Sequence, residues 1–320
     1  MGLFWIAMLL GIVEGLTEFL PVSSTGHLIV AGQALGLSGE KAKAFEIFIQ
    51  LGAVLAVIWY YRRELAETAG GILTRRANRQ FAEALLIAFI PAALVGLALH
   101  HWIEQHLFSP RAVAPALVLG GVAILAVELL VRRAGPGGRN TGEGGSGRLS
   151  EQPGSGRVLG GTAAPAATLA QHAPAGAGLE APPRGASAAF LYEDARAIPF
   201  GVAAWIGLAQ VLSLYPGVSR SAATILGGLL LGLSRRAATE FSFYLAIPTL
   251  GSACLYSLLK VARTLSAGDA AWFAIGLIVS FVSSVIVIRF LLAWVKSHDF
   301  RPFAWYRIAF GLAVLFVFRK

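Results

Sequence analysis

Apolar and polar positions alternate along this chain on the scale of whole helices. Apolar runs near the roughly 20 residues needed to cross hydrocarbon cover about Phe45 to Tyr61, Phe81 to His100 and Ala112 to Val131 in the first half. Three more cover about Glu240 to Leu259, Ala271 to Val295 and Pro302 to Phe318 in the second. Each predicts a membrane-crossing helix. The first apolar stretch is different, because Leu3 to Val13 and Leu28 to Leu37 flank the segment Glu14-Gly-Leu-Thr-Glu-Phe-Leu-Pro-Val-Ser-Ser-Thr-Gly-His27. Glu14 and Glu18 stand four apart on one helix face, Pro21 stops the helix, and Ser23, Ser24, Thr25 and Gly26 suit a polar turn or a second helix start. The pattern predicts helix, break, helix, with arms too short to span. We therefore read residues 1–37 as a re-entrant hairpin, since non-helical backbone at membrane depth is tolerated only against protein or a water-filled cavity.

The pattern recurs. Gly207-Leu-Ala-Gln-Val-Leu212 echoes Gly15-Leu-Thr-Glu-Phe-Leu20, Pro216-Gly-Val-Ser-Arg-Ser221 echoes Pro21-Val-Ser-Ser24, and Glu240 takes the place of Glu46. The expected architecture is all-α and polytopic, with one re-entrant hairpin plus three transmembrane helices, twice. The first repeat takes residues 1–133 and the second 197–320, opening with a hairpin over 198–233. Three crossings per repeat turn the second copy upside down, the inverted arrangement in which two broken helices enclose a midplane site. Between the repeats, residues 134–196 change to Gly, Pro, Ala, Ser and Thr, the composition of a flexible linker. No strand precedes its glycines and no Lys-Ser/Thr ending follows them, so they do not make a phosphate loop.

Composition sharpens this picture. The 320 residues are 56% apolar and 13% charged, with a mean hydropathy of +0.69, the profile of a protein whose main solvent is the bilayer. The net charge of +9 is spread as small groups between apolar spans, which argues against nucleic acid as a partner. Arg62, Arg63, Arg75, Arg76 and Arg79 place the loop after the first crossing in the cytoplasm by the positive-inside rule, so the first hairpin faces outward. Arg235, Arg236, Lys296 and Arg301 agree, whereas Lys260, Arg263, Arg319 and Lys320 fall on the outer side. The single cysteine, Cys254, forms no intrachain disulfide.

An ionised side chain at the bilayer centre costs on the order of 3 kcal/mol, so Glu14, Glu18, Glu46, Arg220 and Glu240 each call for a cavity or a partner. A structural ion pair across the repeats accounts for the charges alone, but not for the hydroxyls and imidazole beside them. Pro216 to Thr224 gathers a turn at Gly217, helix-start N–H groups, the hydroxyls of Ser219, Ser221 and Thr224 and the Arg220 guanidinium, the components of a phosphate site. Glu14 and Glu18 suit phosphate as neighbours only with a divalent cation between, or with one acting as a base. Among Ser23, Ser24 and Thr25, one caps the second half-helix and another is a candidate nucleophile. His27 stands beside them as a candidate acid or base.

The motif at 14–27, Phe45-Glu-Ile-Phe-Ile-Gln-Leu-Gly52, and Pro216-Gly-Val-Ser-Arg-Ser221 with Thr224 together resemble the bacterial undecaprenyl-diphosphatase family of the bacitracin-resistance type. The resemblance implies hydrolysis of undecaprenyl diphosphate at the outer face of the inner membrane, with a divalent cation, Mg2+ or Ca2+. It implies that Glu14 and Glu18 match the family's acidic pair, Ser24 and His27 its catalytic serine and histidine, and Arg220 its phosphate-binding arginine, supported by Ser219, Ser221 and Thr224. The residues leave three nucleophiles open: Ser24, a metal-held water and His27. They also leave open a carrier that flips undecaprenyl phosphate through the same anion site, and a homodimer.

Overall fold

The computed structural model describes residues 2–37, 39–134, 190–261 and 269–319. Eleven α-helices follow one another there: α1 Leu3–Thr17, α2 Ser24–Ala34, α3 Glu40–Tyr60, α4 Arg62–Gly71, α5 Arg76–His106, α6 Pro110–Ala134, α7 Phe200–Val211, α8 Arg220–Leu230, α9 Arg235–Val261, α10 Ala270–Trp294 and α11 Arg301–Val317. Among the described residues the only β-pairing is an isolated bridge between Tyr192 and Leu233. Four helical segments, Arg76–Leu99, Pro110–Arg133, Arg235–Leu259 and Ala270–Trp294, are long and apolar enough to cross a membrane. A fifth arises if Ala44–Tyr60 and Arg62–Gly71, bent by 72°, form one span. The chain is thus an all-helical, multi-pass membrane protein.

Some boundaries differ from the apolar pattern. The arginine-rich stretch after Tyr61 is not an open loop, because α4 turns back and Asn78 Nδ2 donates to Glu67 O at 2.8 Å. The apolar run 81–100 is the middle of a 31-residue helix, since polar residues on either side of it are good helix formers and nothing breaks them. At its C-terminal end, His101 and His106 belong to that helix, and His106 Nδ1 lies 2.9 Å from Trp102 O. The run 302–318 becomes α11, whose 17 residues extend only about 26 Å.

Residues 135–189, most of the stretch whose composition reads as linker, lie outside the described residues. Its last part is held in place. Leu191 N donates to Gly232 O at 2.8 Å, Ser234 N to Tyr192 O at 2.9 Å, and the Arg196 guanidinium to Thr68 Oγ1 at 3.0 Å. Gly232 takes φ +91° there, and a Cβ at this position would press on the Leu191 side chain.

Helices in lipid gain by close approach of small residues, and the hairpin arms use this. Gly11 and Gly15 of α1 face α10, where a Cβ on either would lie 2.7 Å from the carbonyl of Gly276 or Ser280. Gly207 of α7 faces α5 in the same way, 2.5 Å from Ala88 O. At the far end of α6 a second anchor forms. Glu128, wholly buried, accepts from Arg235 Nε at 3.1 Å, from Arg235 Nη2 and from Phe300 N at 3.0 Å, tying α6 to the starts of α9 and α11. Glu128→Ala leaves the guanidinium and an N–H without that acceptor, so thermal unfolding in detergent should show a loss of about 3–5 kcal/mol. An unchanged transition would mean that the anchor is dispensable.

Candidate active site at the two helix breaks

Both hairpins break in the same way. Helix α1 ends at Thr17 and α2 begins at Ser24, with Ser23 as its N-cap at φ 75°, its hydroxyl accepting from Gly26 N. Helix α7 runs into a single 3-10 turn, Leu212–Leu214, and α8 begins at Arg220 behind Ser219, at φ 76°, whose hydroxyl accepts from Ala222 N. A serine at positive φ is costly, on the order of 1–3 kcal/mol, and persists only where its surroundings over-determine it. Ser23 and Ser219 are the only non-glycine residues with positive φ among the described residues. Gly217, at φ +100°, completes the second turn, and a Cβ there would meet Val113 O at 2.7 Å.

The folding of one break onto the other assembles a buried polar line. Ser24, the first residue of α2, donates its hydroxyl to Glu18 Oε2. Glu18 Oε1 accepts from Arg220 Nη2 at 3.0 Å, and both side chains are buried. The other terminal nitrogen of Arg220 is held by Ser242 of α9, through its carbonyl at 2.7 Å and its hydroxyl at 3.2 Å. Thr224 Oγ1 lies 2.7 Å from the same hydroxyl. Ser221 Oγ donates to Leu20 O in the first break at 2.8 Å and lies 3.0 Å from Ser219 Oγ. The hydroxyls of Ser219, Ser221 and Thr224 therefore hold the turns and the arginine. Arg220 Nε, also buried, has no hydrogen-bond partner, so one N–H of the guanidinium remains for a ligand.

His27 is placed elsewhere in the cluster. Its Nδ1 donates to Ser23 O at 2.7 Å, and Nε2 lies 2.7 Å from the Tyr306 hydroxyl. The ring stacks on Phe310 at 4.2 Å. Its hydrogen bonds thus brace the strained Ser23 instead of reaching Ser24 or Glu18. Thr25 is half-buried at the same helix start.

Glu14 lies wholly buried one turn before Glu18, and neither carboxylate oxygen has a hydrogen-bond partner. Hard divalent cations take oxygen ligands, carboxylates among them, so the unpartnered oxygens of Glu14, with Glu18 one turn on, are donors of the right kind. No group of three His, Cys, Asp or Glu ligands occurs among the described residues. Gln210, the second repeat's counterpart of Glu18, is buried with its amide nitrogen unpartnered and its oxygen near Thr249 Oγ1 at 3.3 Å.

One residue of the cluster lies outside both motifs, and its only signal in the sequence is its charge within an apolar span. Arg307, on α11 within an apolar span, is wholly buried and donates to carbonyls of both breaks and of α6. Nothing around it in the sequence is polar enough to mark it, and its acceptors lie far away along the chain.

The chain is 44% identical over 309 residues to the undecaprenyl-diphosphatase of Cupriavidus metallidurans, covering 97% of this chain and 93% of the relative. It is 43% identical over 309 residues to that of Cupriavidus necator, with the same coverage, and 44% identical over 312 residues to that of Methylococcus capsulatus, covering 97% and 94%. The family described as Bacitracin resistance protein BacA matches residues 7–150 and 180–313, which include every residue of both breaks. This chain belongs to the bacitracin resistance protein BacA family.

Proposed function

We propose that this protein hydrolyses undecaprenyl diphosphate to undecaprenyl phosphate and inorganic phosphate, recycling the lipid carrier of cell-wall synthesis. The observation that carries the reading is the line Ser24–Glu18–Arg220, a hydroxyl, a carboxylate and a guanidinium joined in a buried site from two distant breaks. The names of the relatives favour hydrolysis over flipping of the intact lipid phosphate. Arg220, through its spare Nε–H, and the N–H groups at the starts of α2 and α8 bind the phosphate oxygens. Glu18 takes the Ser24 proton as Oγ attacks the terminal phosphorus. The Oγ–P bond forms, the bond to the bridging oxygen breaks, and undecaprenyl phosphate leaves with that electron pair. Water then attacks the phosphoserine and the Oγ–P bond breaks. Glu18 returns its proton to Oγ and takes one from the water, which it loses to solvent.

Glu14 and Glu18 would hold a divalent cation, Mg2+ or Ca2+. When bound, it supplies positive charge against the diphosphate. His27 orders the Ser23 turn through which Ser24 is presented. The proposed topology is an inverted repeat with six crossings and two re-entrant hairpins. It is supported by the exchange of packing partners between halves: α1 packs on α10 as α7 packs on α5, while α3 faces α9 and α6 faces α11. The basic residues of the 62–79 stretch support a site at the periplasmic side of the inner membrane, with lipid around the apolar helix faces.

The purified protein in detergent, given undecaprenyl diphosphate and Mg2+ or Ca2+, should release inorganic phosphate, and a chelator should stop it. With no gradient present, transport cannot produce that signal; absence of release with either cation would overturn the reading.

A further inference from the structure

Arg307 is the largest wholly buried side chain among the described residues, and no carboxylate among those residues partners it. Its guanidinium is surrounded by backbone carbonyls instead. Nε donates to Leu117 O at 3.4 Å, Nη1 to Pro21 O at 3.1 Å, and Nη2 to Ala116 O at 3.2 Å, Gly217 O at 2.8 Å and Val218 O at 3.0 Å. Removing a guanidinium from water without a counter-charge costs several kcal/mol, and the fold makes room for it. At Gly120 a Cβ would overlap the guanidinium. Such an arrangement needs a reason beyond filling space, because an apolar side chain would fill the same volume without the cost.

The peptide plane supplies one. Within a trans peptide the carbonyl of one residue and the N–H of the next point in opposite directions. Pinning Val218 O to Arg307 therefore turns the Ser219 N–H away from it, and pinning Gly217 O and Pro21 O does the same for the Val218 and Val22 N–H groups. The last two are used inside their turns, by Tyr215 O at 3.1 Å and Leu20 O at 2.7 Å. Ser219 N–H is the one that precedes Arg220 and the unpaired N–H groups at the start of α8. It also belongs to the residue at φ 76°, whose strained turn must be held from outside. One side chain thereby grips both breaks at once, on the face opposite to the donors.

We infer that Arg307 is a positioning residue for the reaction proposed above. It aims the Ser219 N–H and the first N–H groups of α8 at the phosphate under attack, and it keeps Ser24 and Arg220 in register. The inference rests on that reading of function. Donors of this kind act mainly on charge that develops in the transition state, so their loss falls on kcat and not on KM.

The test is phosphate release by Arg307→Lys and Arg307→Gln in detergent, with vanadate as a probe of the transition state and inorganic phosphate as a probe of the ground state. We expect kcat to fall about 10^2-fold, the cost of one misdirected oxyanion donor, with KM within about threefold. The vanadate inhibition constant should rise in parallel with the loss of kcat/KM, phosphate inhibition should stay nearly constant, and lysine should retain more activity than glutamine. Folded variants with wild-type kcat and wild-type vanadate inhibition overturn the proposal. So does a loss explained by the unfolded fraction alone, with vanadate inhibition of the remainder unchanged. If both variants fail to fold, Gly120→Ala, whose Cβ displaces the guanidinium, takes their place with the same outcomes. A wild-type protein that releases no phosphate would instead overturn the function itself.

Discussion

Replacing Ser24 by alanine should lower kcat for phosphate release by about 10^6-fold, the scale on which loss of a serine nucleophile acts. The hydroxyl is the one hydroxyl described in the cluster that is hydrogen-bonded to a carboxylate and also stands at the first position of a helix. There its own attack and the binding of phosphate by helix-start N–H groups share one location. Rapid acid quenching of the wild type during turnover should leave phosphate on Ser24, detectable in its peptide by mass. A Ser24→Ala protein working within tenfold of wild type would move the attack to water or to His27. Its fold should be unaffected, because Ser24 donates to Glu18 and Glu18 keeps the Arg220 bond.

Arg220→Ala should be damaging in two separable ways. Activity should fall by about 10^3-fold or more, the scale of an arginine that stabilises a transferring phosphoryl group. Stability should fall by about 3–5 kcal/mol, because Glu18 is left buried with its charge uncompensated. The second loss has a signature. Removing the partner as well, in a Glu18→Gln, Arg220→Met protein, should recover much of the stability while activity stays absent, since a neutral pair has no charge to strand. Thermal unfolding and phosphate release on the wild type and these two variants measure both. Equal stability losses for the single and double variants would show that Ser242 and Thr224, and not the ion pair, hold the region together. Arg220→Lys should fall between, because an ammonium does not reproduce the fork that reaches Ser242 and Glu18 together.

Much of the site could be read from residues alone, for a local reason. The carboxylate pair, Pro21 and the run of hydroxyls lie within fourteen positions, and a polar cluster in an apolar stretch is conspicuous because lipid makes it costly. The helix break at Ser23 and its counterpart at Ser219 also follow from local chemistry, since serine caps a helix start with its own hydroxyl. The division of labour within the cluster was not readable in this way. Ser219, Ser221 and Thr224 appear as phosphate ligands when only their type is known, yet their hydroxyls are taken up by Ala222 N, Leu20 O and Ser242. His27 looks like an acid or base, yet its ring is engaged by Ser23 O and Tyr306, the latter 279 positions away. Which acceptor a donor finds depends on what the fold brings near.

The same division holds for the whole chain. The sequence by itself determined that the protein is helical and membrane-embedded, where two of its helices break, and which residues bring charge into the bilayer. These are consequences of hydropathy, helix period and the missing N–H of proline, all of which act over a few turns. Only the tertiary structure decided that Glu18 meets Arg220 across 202 positions, that the arginine-rich stretch after Tyr61 folds back as α4, and that Arg307 of an apolar helix holds both breaks. Each of these is a choice of partner between distant segments. Packing makes that choice, because a buried donor must take whichever acceptor the neighbouring helix presents.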